Sequence, residues 1–300
     1  MRKTDVRDTN KARTRRRERR DTTSRRTDAV RLSWRPIIER AAEIAGERTM
    51  TLRQCFYILV SESVIPNAET TYKSLSRLTA EARRDGWFPS FIDGTRGIFQ
   101  HRTWDGPEDA ISDTARRYRR DRTAGQERQV RIAGEKRTLA RQLEEWFGDL
   151  GCPLVVCAGY SSQTLCDDVR DELRDDGRPS LLIYAGDFDP SGQDIARDFV
   201  KRVDAFDDVV GVAVSAEQVE TFRLPPMPGK PTDARAAGFV ARHGWLIQVE
   251  VEAVPPDVLY RLYRDAIDAV WDTSAYEDVL AREAHERQEL LDLCDGFGNR

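Results

Sequence analysis

Apolar positions along this chain change their period partway through. Over the first third they recur at three- and four-residue steps: Val30, Trp34, Ile37, Ile38, Ala41 and Ile44, then Leu52, Cys55, Phe56, Leu59 and Val60, then Tyr72, Leu75, Leu78 and Ala82. Each run predicts an amphipathic helix. The first covers residues 29–46. The second opens at the capping-box pair Thr51 and Gln54 and runs to about Ser61. The third begins beyond Ile65-Pro66 and stops at Gly86. Residues 87–98 read as extended, with a turn at Asp93-Gly94, so three helices and a hairpin-like segment predict a winged-helix domain.

From residue 129 the pattern switches to short strand-like segments, at 129–133, 154–158, 181–185, 209–214 and 246–251. Helical spacing separates them, over 138–147, over 163–174 and through Ile195, Phe199 and Val203, and again after Pro255-Pro256 in Leu259, Leu262, Tyr263 and Ile267. Repeated strand–helix units predict an α/β fold with a mostly parallel, doubly wound sheet. A charged helix with Tyr276, Val279, Leu280 and Leu290 ends the chain. The organisation expected is a basic tail over 1–28, a winged-helix DNA-binding domain over 29–102, an arginine-rich linker over 103–128 and an α/β domain over 129–300 with C-terminal helices.

Composition narrows the setting. A chain of 300 residues, 39% hydrophobic and 33% charged, suits a soluble protein of two domains. No apolar run reaches membrane-spanning length and the N-terminus has no hydrophobic signal core, so the expected location is the cytoplasm. Five cysteines without a Cys-x-x-Cys pair, and three scattered histidines, argue against structural zinc or a disulfide framework. Charge is uneven: residues 1–28 hold 12 Lys or Arg against 5 Asp or Glu, a net +7, while the rest hold 36 against 47, a net −11. Such a tail predicts disorder and a nucleic-acid backbone as partner, or else a merely solubilising segment.

The chemistry concentrates where strands end. The run Leu181–Ala185 empties into Gly186-Asp187-Phe188-Asp189-Pro190-Ser191-Gly192. A buried parallel strand would deliver Asp187 and Asp189, two apart and on one face, to the carboxyl edge of the sheet, with Ser191 capping the next helix. Convergent carboxylates repel unless a cation lies between them, and Mg²⁺ favours all-oxygen ligands. The plainer alternative is an acidic strand-to-helix turn with Asp187 as cap. Glu135, in Gly134-Glu135-Lys136 after another strand, falls at the same edge and offers a third carboxylate, or else a helix-start glutamate favoured by the dipole.

The second helix offers a nucleophile. At about 100° per residue Tyr57 points away from the apolar face, and Arg53 lies one turn before it on the same side. A neighbouring cation would favour the phenolate. A tyrosine half buried against a neighbouring domain is the alternative.

These residues carry a resemblance. Asp187-x-Asp189-Pro-Ser-Gly with Glu135 upstream resembles a Toprim domain, and Arg53-Gln54-Cys55-Phe56-Tyr57 is similar to the Arg-x-x-(Tyr/Phe)-Tyr signature of the type IIB topoisomerase A subunit and its meiotic double-strand-break relatives. The order of the two domains matches as well. The resemblance implies that Tyr57 attacks DNA with support from Arg53, that Glu135, Asp187 and Asp189 hold Mg²⁺ or Mn²⁺, and that the partner is double-stranded DNA. Two tyrosines are needed to cut two strands, which implies a homodimer. No nucleotide-binding loop occurs in the chain, so ATP-driven strand passage would need a separate ATPase subunit.

Three functions are consistent with these residues: DNA cleavage by tyrosine transesterification, as in topoisomerases; a Toprim-type nuclease using activated water; and a DNA-binding protein without catalysis.

Overall fold

Val130, Ile132, Leu181 and Ile183 are the reason the second half of the chain forms a sheet, since such runs satisfy a strand buried on both faces. The computed structural model describes residues 34–92 and 101–297 and divides into two compact units, 1–91 and 92–300. The basic tail and the turn at Asp93-Gly94 lie outside the described residues, as does the start of the first helix at Val30.

In the first unit, α1 (residues 34–47) buries Ile38, Ala41 and Ile44. Helix α2 (Leu52–Ser61) begins at the capping box of Thr51 and Gln54. Helix α3 (Glu69–Arg84) buries Leu75, Leu78 and Ala82, and Gly86, at φ +82°, comes just after its end. These are the three helices that the spacing predicts.

The 103–128 segment is not a bare linker. It holds α4 (Pro107–Arg117), with proline in the first turn, and α4 packs on the C-terminal helix α11 (Thr273–Phe297). The sequence hides this helix because its own apolar content is small; Ala115 is its buried residue. Arg122 and Glu283 then bind the next loop to α11.

Among the described residues, four parallel strands form one sheet in the order β2-β1-β3-β4: β1 (Gln129–Gly134), β2 (Leu154–Val156), β3 (Ser180–Ala185) and β4 (Asp208–Ala213). Helix α5 (Arg137–Phe147) comes after β1, α6 (Gln163–Asp176) after β2, α7 (Pro190–Val203) after β3 and α8 (Ala216–Thr221) after β4. Val155, Leu182 and Tyr184 pack with Val169 and Leu173 of α6 and with Ile195 and Phe199 of α7. Helices α5 and α10 (Pro256–Asp268) cover the other face, joined by Phe147 stacking on Tyr260 at 5.4 Å between ring centroids. The fold of this unit is therefore α/β with a parallel sheet.

Residues 246–251 do not extend that sheet. Two of them form β6 (Ile247–Gln248), antiparallel to β5 (Met227–Pro228). Helix α9 (Ala236–His243) lies between these two strands in the chain. Val249 then pairs with Phe188 in both directions, at 2.8 and 3.1 Å, and a 3-10 turn covers Val251–Ala253. This segment laces the loop after β3 instead. No helix among the described residues is long and apolar enough to cross a membrane.

Candidate functional site

Strands β1 and β3 lie side by side with Gly134 opposite Ala185, so the chain leaves both strands at the same edge of the sheet. Glu135 is the first residue past β1 and Asp187 the second past β3, and both are buried, each 6% exposed. Their meeting is direct: Glu135 Oε2 accepts the backbone N–H of Asp187 at 2.8 Å. Gly186 makes this approach possible. A Cβ there would stand 3.0 Å from Glu135 Oε2 and 2.8 Å from the Tyr184 hydroxyl.

A cation already stands between the two acids. Lys136 Nζ is 2.6 Å from Asp187 Oδ2 and 3.4 Å from Glu135 Oε1. Asp187 Oδ1 accepts the N–H of Val251 at 2.9 Å, which is the task of the laced loop. Burial, then the charge of Glu135, push the Asp187 carboxyl up to about 7, against the opposing pull of Lys136 and of the Val251 N–H. For Lys136, burial opposes the charge, yet Asp187 and Glu135 hold its ammonium above the ordinary lysine range.

Asp189 goes elsewhere. Strand β3 ends at Ala185, so Asp187 and Asp189 do not share a strand face. Phe188 between them is fully buried, its ring 5.1 Å from Phe239 and 4.9 Å from His243, and its burial fixes how the loop turns. Asp189 then caps α7 by accepting Gly192 N–H at 2.7 Å. Pro190 at the first helical position starts α7 there, so Ser191 is inside the helix instead of capping it, and its hydroxyl donates to Asp233 at 3.0 Å. Among the described residues, no three His, Cys, Asp or Glu side chains gather as a common ion-binding group. Glu135 and Asp187 come together; Asp189 is bound to the helix instead.

Tyr57 and Arg53 lie in the first unit. Tyr57 is 4% exposed, with its ring edge-on to Phe56 at 5.3 Å. Its burial corrects the expectation that it stands off the core. Gln54, Cys55, Phe56 and Tyr57 are all buried, so α2 is covered around its circumference and has no single apolar face. The Arg53 guanidinium lies over the ring of Tyr72, 5.1 Å from its centroid.

Sequence reasoning passes over four contributors. Lys136 was legible only as a neighbour of Glu135, and nothing in its spacing marks it as the counter-charge. The Val251 N–H carries no sequence signal. Gly192 is required because a Cβ there would meet the Asp187 carbonyl oxygen at 2.4 Å. The buried Tyr184 hydroxyl has no hydrogen-bond partner among the described residues, and it faces the space beside Gly186 that Glu135 also approaches.

Chemically, this is a carboxylate pair at the strand switch of a parallel sheet, the position at which α/β folds hold ligands. No protein-family model and no curated protein matches this chain.

Proposed function

We propose that this chain cleaves DNA in a metal-dependent reaction centred on Glu135 and Asp187. The observation that carries the reading is the meeting of these two buried carboxylates at the carboxyl edge, where their repulsion draws in a cation, a place that Lys136 holds in this structure. The donor chemistry fits Mg²⁺ or Mn²⁺: two carboxylates, all oxygen, with the unpartnered Tyr184 hydroxyl close by. Glu135 and Asp187 would hold the ion. When bound, it supplies charge neutralisation at a backbone phosphate.

The resemblance of Arg53-Gln54-Cys55-Phe56-Tyr57 supports Tyr57 as nucleophile. Its phenolate oxygen forms a bond to phosphorus as the P–O3′ bond breaks; the 3′ oxygen leaves as a hydroxyl after taking a proton, and the 5′ phosphate stays on Tyr57. Cutting both strands takes two such tyrosines and hence a homodimer. In this reading the first unit is a winged-helix domain, the second is Toprim-like, and the chain works on double-stranded DNA in the cytoplasm. ATP-driven strand passage would be the task of a separate ATPase subunit.

One observation favours a second reading. Tyr57 is 4% exposed, whereas a water molecule needs no exposed side chain to attack phosphorus. The product would then be free DNA ends.

A cleavage assay on supercoiled and linear duplex with Mg²⁺ or Mn²⁺, quenched with denaturant and split with and without protease, separates these. DNA linked to protein in the native chain and not in Tyr57→Phe supports transesterification. Cleavage that survives Tyr57→Phe and is lost in Asp187→Asn supports hydrolysis. Salt-sensitive binding without cleavage under either metal overturns both in favour of a binding protein.

A further inference from the structure

We infer that Lys136 is a built-in counter-cation, which keeps the Glu135–Asp187 site assembled without metal and must leave for a divalent ion to enter. The inference rests on the metal-dependent reading above. Its basis is the geometry. Lys136 Nζ lies within 2.6 Å of one carboxylate and 3.4 Å of the other, while both carboxylates are buried almost completely. Two such charges without a cation would destabilise the loop after β3.

The Lys136 side chain has a route to solvent: it is 28% exposed, whereas those of Glu135 and Asp187 are 8% and 5% exposed. It can therefore swing to solvent on its flexible stem while Glu135 and Asp187 stay in place, because their positions are set by backbone. Glu135 N–H donates to the Ala185 carbonyl at 2.9 Å, and Asp187 is tied by the Glu135 carboxylate and the Val251 N–H. An ammonium carries one charge and three donors, whereas a divalent ion carries two charges and accepts oxygen ligands, so the two compete for one position. The protein thus binds metal by exchange of cations, and the energy of the resident ion pair is subtracted from the affinity.

Calorimetric titration with MnCl₂ tests this on the full chain, comparing wild type, Lys136→Met and Lys136→Met/Asp187→Asn, with melting in EDTA alongside. The expected result is Mn²⁺ binding about tenfold tighter in Lys136→Met, a gain abolished by Asp187→Asn. Without metal, Lys136→Met melts lower than wild type, and adding Glu135→Gln restores the melting temperature by removing one of the opposed charges. Equal or weaker Mn²⁺ binding in Lys136→Met, or an unchanged metal-free melting temperature, overturns the inference. Tight binding insensitive to Lys136, with cleavage intact, overturns the exchange and leaves the metal-dependent reading standing. No Mn²⁺ binding to either protein overturns both. Lys136-sensitive binding without DNA cleavage supports the exchange and overturns the cleavage reading.

Discussion

Arg122 and Glu283 meet in a two-point ion pair: Nε donates to Oε2 at 3.0 Å and Nη2 to Oε1 at 2.7 Å. The carboxylate also accepts the Arg120 N–H at 3.1 Å and a hydrogen bond from Arg287 one turn along α11. With a side chain only 2% exposed, Glu283 is the fastening of α11 to the loop after α4.

Replacing it is expected to be costly. Glu283→Gln removes the two-point partner of the Arg122 guanidinium, 10% exposed, and leaves it the exposed Asp149 carboxylate at 3.3 Å, so a loss of about 2–3 kcal/mol is expected at pH 7. The hydrogen bond from Arg122 leads the causes that hold the Glu283 carboxyl down at about 2, against an ordinary 4.5. A depressed acid stabilises fully above its unfolded value and loses that contribution as pH falls through the folded one. Urea unfolding should therefore show the gap between wild type and variant narrowing from pH 5 down to pH 2. A gap that stays constant would refute the assignment.

Asp187 has the opposite sign. Its carboxyl is raised to about 7, chiefly by burial and by Glu135, so the folded metal-free protein binds a proton that the unfolded chain has released. The stabilisation it contributes is full below the unfolded carboxyl range and is lost as pH rises to 7, by at most about 1.4 kcal/mol per pH unit for one proton. Asp187→Asn should flatten this decline. Unfolding curves collected in EDTA from pH 4 to 8 measure it, and a variant with the wild-type slope would contradict it.

Gly192→Ala should disturb the site without touching a charge. The added Cβ would lie 2.4 Å from the Asp187 carbonyl oxygen, which is backbone and cannot swing aside. A loss of about 2–3 kcal/mol is expected from overpacking, together with loss of any Asp187-dependent metal binding. Thermal melting and Mn²⁺ titration report the two effects separately. A fully stable, metal-binding variant would mean that α7 tolerates a shift at its first turn.

Removing residues 1–28 takes away 12 basic side chains. Each one that contacts a phosphate contributes about 0.9 to the slope of log K against log salt. Duplex binding by the truncated chain should therefore be weaker at low salt and less salt-dependent. Identical slopes for the two proteins would show that the tail makes no phosphate contacts.

The sequence made the sheet legible because β3 is a nearly continuous apolar run and β1 alternates Val130 and Ile132 with the polar Gln129 and Arg131, in a setting of repeated strand–helix units. Glu135 and Asp187 were legible for the same reason, as the first charged residues past those strands. Asp189 was not, since alternation along a strand stops applying once Phe188 enters its pocket against Phe239 and Pro190 starts α7. Tyr57 was misjudged because a helical wheel assumes one buried side, whereas α2 is covered all around. Helix α4 was overlooked because its partner is α11, more than 150 residues away, and charge pairs such as Arg122–Glu283 leave no local trace.

Because Glu135 and Asp187 leave neighbouring strands, their spacing is indifferent to the length of what separates them. The 52-residue step from one to the other includes α5, β2 and α6, which depart from the end of β1 and return at the start of β3. Extra turns in α6 or a longer loop after β2 would bulge outward without changing how Gly134 faces Ala185. This edge is thus a place where new recognition elements can be grafted while the paired acids stay fixed.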